Sequence, residues 1–244
     1  MTAGALLLVA VTGSLGCGKS RVSRWLAERG AHLLDADQEG RAVLLPGSRG
    51  WQAVVDHFGP EILGEDLPGS PRPIDRRRLG EIIFRDIEAR KRLEAIVHPQ
   101  IFRRLARALL RWQRQTPRDA TTLVVVEIPL LFETASEQRF DWTVAVLCGA
   151  AQEERLQERS AMSPAVRQAV IAQQLPEQEK QQRARSVIDN SGSWPATELQ
   201  LQRLWSELQQ WAHATPSVAS KRAWPHHWPE WPDAREQEGG REDL

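Results

Sequence analysis

The chain is poor in most features that betray a protein's class at a glance. It has two cysteines, Cys17 and Cys148, in 244 residues. That is too few for a disulfide framework, so nothing demands an oxidising compartment. It has no net charge, with 32 Lys and Arg against 32 Asp and Glu, which argues against a nucleic-acid partner. Lysine is scarce: Lys19, Lys91, Lys180 and Lys221 are the only four, so nearly all the cationic charge is Arg. No stretch approaches the roughly 20 apolar residues of a membrane helix. The apolar N-terminus lacks a basic leader and runs straight into a glycine-rich turn, which favours a buried strand over a secretory signal. No internal repeat is present. What remains is a soluble chain, expected to be cytoplasmic, monomeric and long enough for a sizeable core.

The patterning is that of an α/β protein. Ala5 to Thr12 is a continuous apolar run, as in a strand buried on both faces. A glycine-rich turn, a helix over Lys19–Arg29 and a strand over His32–Asp35 follow, which makes a βαβ unit and implies a parallel sheet. Helices are expected over Gln38–Leu45 and Trp51–Phe58, and over most of Arg76–Arg111. Further strands are expected at Leu123–Ile128, Trp142–Leu147 and Val187–Ile188. Gln152–Gln174 reads as helical with a break near Ser163-Pro164. Ala196–His213 reads as an amphipathic helix whose stripe is Leu199, Leu201, Leu204, Leu208 and Trp211. Residues 214–244 hold four Pro and three Trp before a closing charged run, and read as a disordered appendage.

Gly13-Ser14-Leu15-Gly16-Cys17-Gly18-Lys19-Ser20 fits G-x-x-x-x-G-K-[ST]. Glycines let backbone N–H groups converge on phosphate oxygens without obstruction. Lys19 suits the β- and γ-phosphates, the Ser20 hydroxyl suits Mg²⁺, and the helix N-terminus adds its positive end. Gly13, Gly16, Cys17, Gly18, Lys19, Ser20 and the following Arg21 are therefore the candidate ATP-binding residues. Cys17, a thiol near a helix N-terminus, reads as packing with scope for a lowered pKa. A GTPase is disfavoured: Asp37-Gln38-Glu39-Gly40 matches D-x-x-G but leaves no room for a switch loop, and no N-K-x-D exists. An ATPase motor would want two acids after its third-strand signal, and Glu127 stands there alone. Asp37, at the carboxyl end of the second strand, could take a proton from an attacking hydroxyl. Asp35 could equally cap the next helix.

Together these residues resemble the dephospho-CoA kinase family. The resemblance is carried by Thr12 to Ser20, Asp35-Ala36-Asp37 with Arg41, Asp75 to Gly80, Leu93 to Pro99 with His98-Pro99, Pro129-Leu130-Leu131-Phe132-Glu133, Arg155 with Arg159, Gln174, Lys180 and Ile188-Asp189-Asn190. It implies the P-loop NTPase fold, a parallel sheet flanked by helices, with the kinase domain at 1–213. The core would span about 1–45, 120–150 and 186–213, the helical substrate-binding region 46–115 and the helical lid 151–185. It also implies transfer from MgATP to the 3′-hydroxyl of dephospho-CoA, with Asp37 as base, Lys19 and Arg155 on the transferred phosphoryl group, and Arg159 and Asn190 on ATP. Arg41, Arg77 and His98 would bind substrate, and Pro99 could start a helix turn. Glu133 would orient an arginine or cap. Arg185 stands where the family usually has Asp, which bears on that Asp's role near the nucleotide base. The alternatives are another small-molecule or nucleoside monophosphate kinase, or a regulatory ATPase.

Overall fold

The computed structural model describes residues 5–66, 68–118, 120–159 and 164–214. The proposed tail lies outside these except for Ala214, which is helical, and of Arg159 only the backbone is described. The described chain divides into two compact units, residues 5–39 with 109–214, and residues 40–108.

The first unit is built on five parallel strands: β1 (Ala5–Gly13), β2 (His32–Asp35), β3 (Thr121–Glu127), β4 (Trp142–Leu147) and β5 (Ser186–Asp189). Their spatial order is β2-β3-β1-β4-β5. β1 is therefore central, and both of its faces are buried, which is why its sequence is continuously apolar rather than alternating. Leu7, Val9 and Val11 pack with Val22, Trp25 and Leu26 of α1 (Lys19–Ala27). The same cluster takes in Leu201, Leu204 and Leu208 of the last helix, Trp194–Ala214. Each such side chain contributes roughly 1.5–3 kcal/mol on burial.

The last helix buries Thr197, Leu201, Leu204, Leu208 and Ala212 at helical spacing, whereas Leu199 is 59% exposed. Leu199 lies two residues from Leu201, on nearly the opposite face, so the expected stripe is corrected there. Gln152–Gln174 resolves into helices at Ala151–Arg159 and Pro164–Ala172, with Pro164 opening the second as its fixed φ allows. A helix at Glu177–Arg183 was not expected. Its sequence is polar throughout and its one buried residue is Lys180, so it carries no apolar period to read.

The second unit begins in α2 (Ala36–Val43) and holds α3 (Arg49–Phe58), α4 (Arg76–Arg85) and much of α5 (Ile87–Gln115). Val43, Trp51, Val54, Ile62, Leu63, Ile74, Leu79 and Val97 form its core. The Ser48 Oγ accepts from the Trp51 N–H at the start of α3. Asp75 caps α4 through the N–H groups of Arg77 and Arg78, and Asp86 caps α5 through those of Glu88 and Ala89. The single helix expected from Arg76 is thus two, parted at a second capping aspartate. Pro99 lies inside α5 and starts nothing.

The remaining helices of the first unit, in chain order, are α6 (Ala151–Arg159), α7 (Pro164–Ala172), α8 (Glu177–Arg183) and α9 (Trp194–Ala214).

Candidate active site

The glycine-rich loop leaves β1 where that strand's neighbours diverge to β3 on one side and β4 on the other. Such a switch point opens a crevice at the carboxyl edge of a parallel sheet. Two glycines there are required by space as well as by backbone. Gly13 has φ +149°, and a Cβ on it would strike the Val146 carbonyl and the Cys17 sulfur. Gly18 has φ +94°, and a Cβ would land on the Asn190 side-chain nitrogen. Gly18 also opens α1: its carbonyl accepts the N–H groups of Arg21 and Val22. The N–H groups just beyond the loop thus point along the start of the helix, where a phosphate is stabilised.

Lys19 folds back over the loop, its Nζ donating to the carbonyls of Gly13 at 3.0 Å and Ser14 at 3.1 Å. Ser20 donates its hydroxyl to Glu127 Oε2 at 2.9 Å. Glu127 ends β3 beside Val11 of β1 and opposite Asp35 of β2. It is only 5% exposed. Burial raises its pKa first, and the neighbouring Asp35 charge pushes the same way; the Ser20 and Ser23 hydroxyls and Lys19 pull it down in part.

The other side of the loop is held by side chains from α6, from the turn before α8, from the residue after β5 and from α9. Asn190 is buried; its Nδ2 donates to the Cys17 carbonyl at 2.8 Å and its Oδ1 accepts from Thr197 Oγ1 at 3.0 Å. Arg155 of α6 donates to the Asn190 carbonyl at 2.7 Å. The tip of the loop is gripped twice: the Leu15 N–H donates to Gln174 Oε1 at 2.9 Å, and its carbonyl accepts from Gln152 Nε2 at 2.8 Å. Leu156 lies over Gly16. Arg21, on the exposed side of α1, stacks its guanidinium on Trp194, 3.7 Å from the ring centroid.

Asp35 accepts the N–H groups of Asp37 at 2.9 Å and Gln38 at 3.0 Å, so it caps α2. Asp37 is exposed in the first turn of α2. The strand order interposes β3 between β1 and β2, the strand whose end Asp37 follows. Arg41, Arg77 and His98 belong to the second unit. Arg41 and His98 are exposed, and Arg77 pairs with Glu81 at 2.9 Å on α4. The Arg159 side chain lies outside the described residues.

Three expectations are corrected. Cys17 is fully buried, and burial raises its pKa despite Lys19, so the thiol is not activated. Glu133 accepts from the Leu175 N–H at 2.8 Å and pairs with the fully buried Lys180 at 3.0 Å, a lysine where an arginine was expected. That pairing is ionic, without hydrogen-bond alignment. Arg185 precedes β5, at the edge of the sheet opposite the loop. Its guanidinium stacks on Trp142 at 3.5 Å, so the residue's departure from the family pattern does not touch the nucleotide end.

The sequence reading passed over Glu127, Gln152, Gln174 and Thr197 as site residues. Glu127 was legible as the acid closing the strand beside β1. Gln174 was noted only as part of the resemblance, without a role, and Gln152 and Thr197 carry no local signal, because what makes them matter is a contact far along the chain.

The dephospho-CoA kinase family profile matches residues 7–196. A dephospho-CoA kinase domain-containing protein of Danio rerio is 39% identical over 205 residues, covering 83% of this chain and 86% of the relative. A dephospho-CoA kinase of Symbiobacterium thermophilum is 38% identical over 200 residues, covering 81% and 80%. Among solved structures, TT1252 of Thermus thermophilus superposes with a TM-score of 0.68 at 32% identity, covering 84% of this chain and 98% of that one.

Proposed function

The chain belongs to the dephospho-CoA kinase family, and from that premise we propose that it transfers the γ-phosphoryl group of ATP to the 3′-hydroxyl of dephospho-CoA, giving CoA and ADP. The observation that carries the proposal is the loop itself: a glycine cradle with Lys19 folded over it, Ser20 tied to a buried Glu127, and Arg155 fixed at its flank.

Phosphoryl transfer asks for position and for neutralisation of spreading negative charge more than for covalent chemistry. Lys19 exchanges its two loop carbonyls for the β- and γ-phosphate oxygens. Arg155, a planar fork, suits the transferred group from the α6 side. Asp37 accepts the proton as the 3′-oxygen attacks phosphorus and the bond to the ADP oxygen breaks. Asn190 shapes the loop under the nucleotide, and Arg21 and Arg159 add cationic charge around it. Arg41, Arg77 and His98, in the second unit, recognise the acceptor, which as a polyanion favours arginine.

Among the described residues no group of three or more His, Cys, Asp or Glu could hold a metal by itself. The donors present fit Mg²⁺ shared with a nucleotide: the Ser20 hydroxyl, backed by the Glu127 carboxylate, both oxygen ligands of the kind this ion takes. Bound there, Mg²⁺ would neutralise phosphate oxygens. No described helix is long and apolar enough to cross a membrane. The working form is read as a cytoplasmic monomer, with residues 46–115 as the substrate-binding region and 151–185 as the lid.

A coupled assay with purified protein, ATP, Mg²⁺ and dephospho-CoA tests the proposal. Turnover with dephospho-CoA, and little with nucleoside monophosphates, is the expected result. Acceptor-independent hydrolysis alone would move the reading to a regulatory ATPase. Asp37→Asn should leave ATP binding intact and lower turnover by roughly 10²-fold or more.

A further inference from the structure

The segment between β4 and α8 begins and ends at one carboxylate. Glu177 Oε1 accepts the N–H of Cys148 at 3.0 Å, and Oε2 accepts the N–H of Gly149 at 2.9 Å. The Cys148 sulfur also lies 3.5 Å from Oε1. Residues 148 and 149 directly follow β4 and lie one residue short of α6, and Glu177 is the first residue of α8. One side chain therefore joins the two ends of residues 150–176. The turn it grips is specialised, with Gly149 at φ +50°.

Neighbours of Glu177 reach the other loops at this edge of the sheet. Gln174 holds the Leu15 N–H, and the Leu175 N–H is held by Glu133 beyond β3. α6 leaves from the gripped turn with Gln152 on the Leu15 carbonyl and, one turn later, Arg155 on the Asn190 carbonyl. The direction in which α6 sets out decides where the Arg155 guanidinium stands. A lone glutamate in the first turn of α8 needs no partner outside its helix. A carboxylate placed across two consecutive N–H groups 28 and 29 residues away does something else.

We propose that Glu177 is a positioning residue for phosphoryl transfer: by closing both ends of residues 150–176 on each other, it fixes the base from which α6 presents Arg155 to the transferred group. The inference rests on the kinase reading above and on the role given there to Arg155. It predicts that Glu177 acts through Arg155 and not by itself.

The test is a double-mutant cycle in the full chain, with Glu177→Ala, Arg155→Ala and both together. Turnover, KM for ATP, acceptor-independent hydrolysis and melting temperature are measured for each. Displacing a positioned group by about 1 Å can cost up to roughly 10²-fold, so Glu177→Ala should lower kcat by about 10- to 100-fold. KM for ATP should change much less, and a larger fraction of ATP should go to hydrolysis. In the Arg155→Ala background the same change should cost no more than about twofold. Glu177→Gln keeps one acceptor oxygen and should fall between, which covers the case of an alanine variant that fails to fold. Losses that multiply, or a lowered melting temperature with normal kcat and coupling, overturn the role of Glu177. A wild-type protein inactive on dephospho-CoA overturns the kinase reading, and the inference falls with it; active wild type with multiplicative losses sinks the inference alone.

Discussion

Replacing Asn190 by alanine separates two jobs that one residue could do. In the structure its amide is a strut. Nδ2 fills the space that the missing Cβ of Gly18 leaves and bonds the Cys17 carbonyl, while Oδ1 receives the Thr197 hydroxyl. The site is 6% exposed, so water does not take over readily. Alanine strands the Cys17 carbonyl, at a cost of about 1–3 kcal/mol for a buried group without a partner. Thr197 loses less, since its hydroxyl still has the Asp189 and Ser193 carbonyls, both at 3.4 Å. With the small void left behind, about 2–3 kcal/mol in total is expected, which in a domain of this size lowers the melting temperature by about 4–12 °C. The drop should appear without nucleotide, because the strut belongs to the empty loop as much as to the filled one. Saturating ATP should recover part of it, since ligand stabilises whatever it binds. KM for ATP should rise as the loop loosens. Asn190→Asp, which sets a carboxylate against the Cys17 carbonyl, should be at least as damaging. The assay is a thermal melt with and without ATP, paired with KM from the coupled reaction. If Asn190→Ala melts with the wild type while KM rises, the amide serves the nucleotide base and the strut reading is refuted.

Glu127→Gln keeps the Ser20 hydrogen bond but removes a buried charge. The folded-state pKa is raised, so wild-type stability falls as pH rises from the ordinary carboxylate range through that raised value. The variant should lack this loss and melt higher than wild type at neutral pH, yet turn over more slowly; superimposable melting-versus-pH curves would refute the account. Lys180→Met leaves Glu133 without its cation in a site where Lys180 is fully buried, and should cost about 3–5 kcal/mol. Adding Glu133→Gln, which still accepts from Leu175, should restore more than half by chemical denaturation. Arg185→Ala should cost about 0.5–1 kcal/mol of stability through the lost stacking on Trp142, with KM for ATP unchanged; a raised KM would place Arg185 in the nucleotide site after all.

The strands and the glycine-rich loop were legible because each is written locally. β1 and β4 are apolar runs bounded by turn residues, and the loop is fixed in spacing by what a phosphate needs from a backbone. Legibility failed where meaning comes from contact. α8 has no apolar stripe, because the residue it buries is a lysine whose partner, Glu133, lies 47 positions earlier. The break at Asp86 was missed because a capping aspartate inside a helical period resembles any surface acid until its side chain is seen to turn back on the N–H groups of Glu88 and Ala89.

The same distinction explains why the first unit's candidate site divides as it does. Of the groups that would meet phosphate directly, Lys19, Ser20 and the loop N–H groups sit within one short motif, since a strand, a turn and a helix suffice to aim them, while Arg155 comes from α6. Groups that hold those in place come from everywhere else: Glu127 from β3, Asn190 from the end of β5, Thr197 from α9, Gln152 and Arg155 from α6, Gln174 from before α8. A cradle made of glycines is loose by composition, because glycine loses the most conformational freedom on folding. Its rigidity must be supplied from outside, by long-range hydrogen bonds to the carbonyls and N–H groups that the glycines leave bare. Lys19 and Ser20 can therefore be read from eight consecutive residues, while the precision of their placement depends on residues spread from Glu127 to Thr197, more than 100 positions further along the chain.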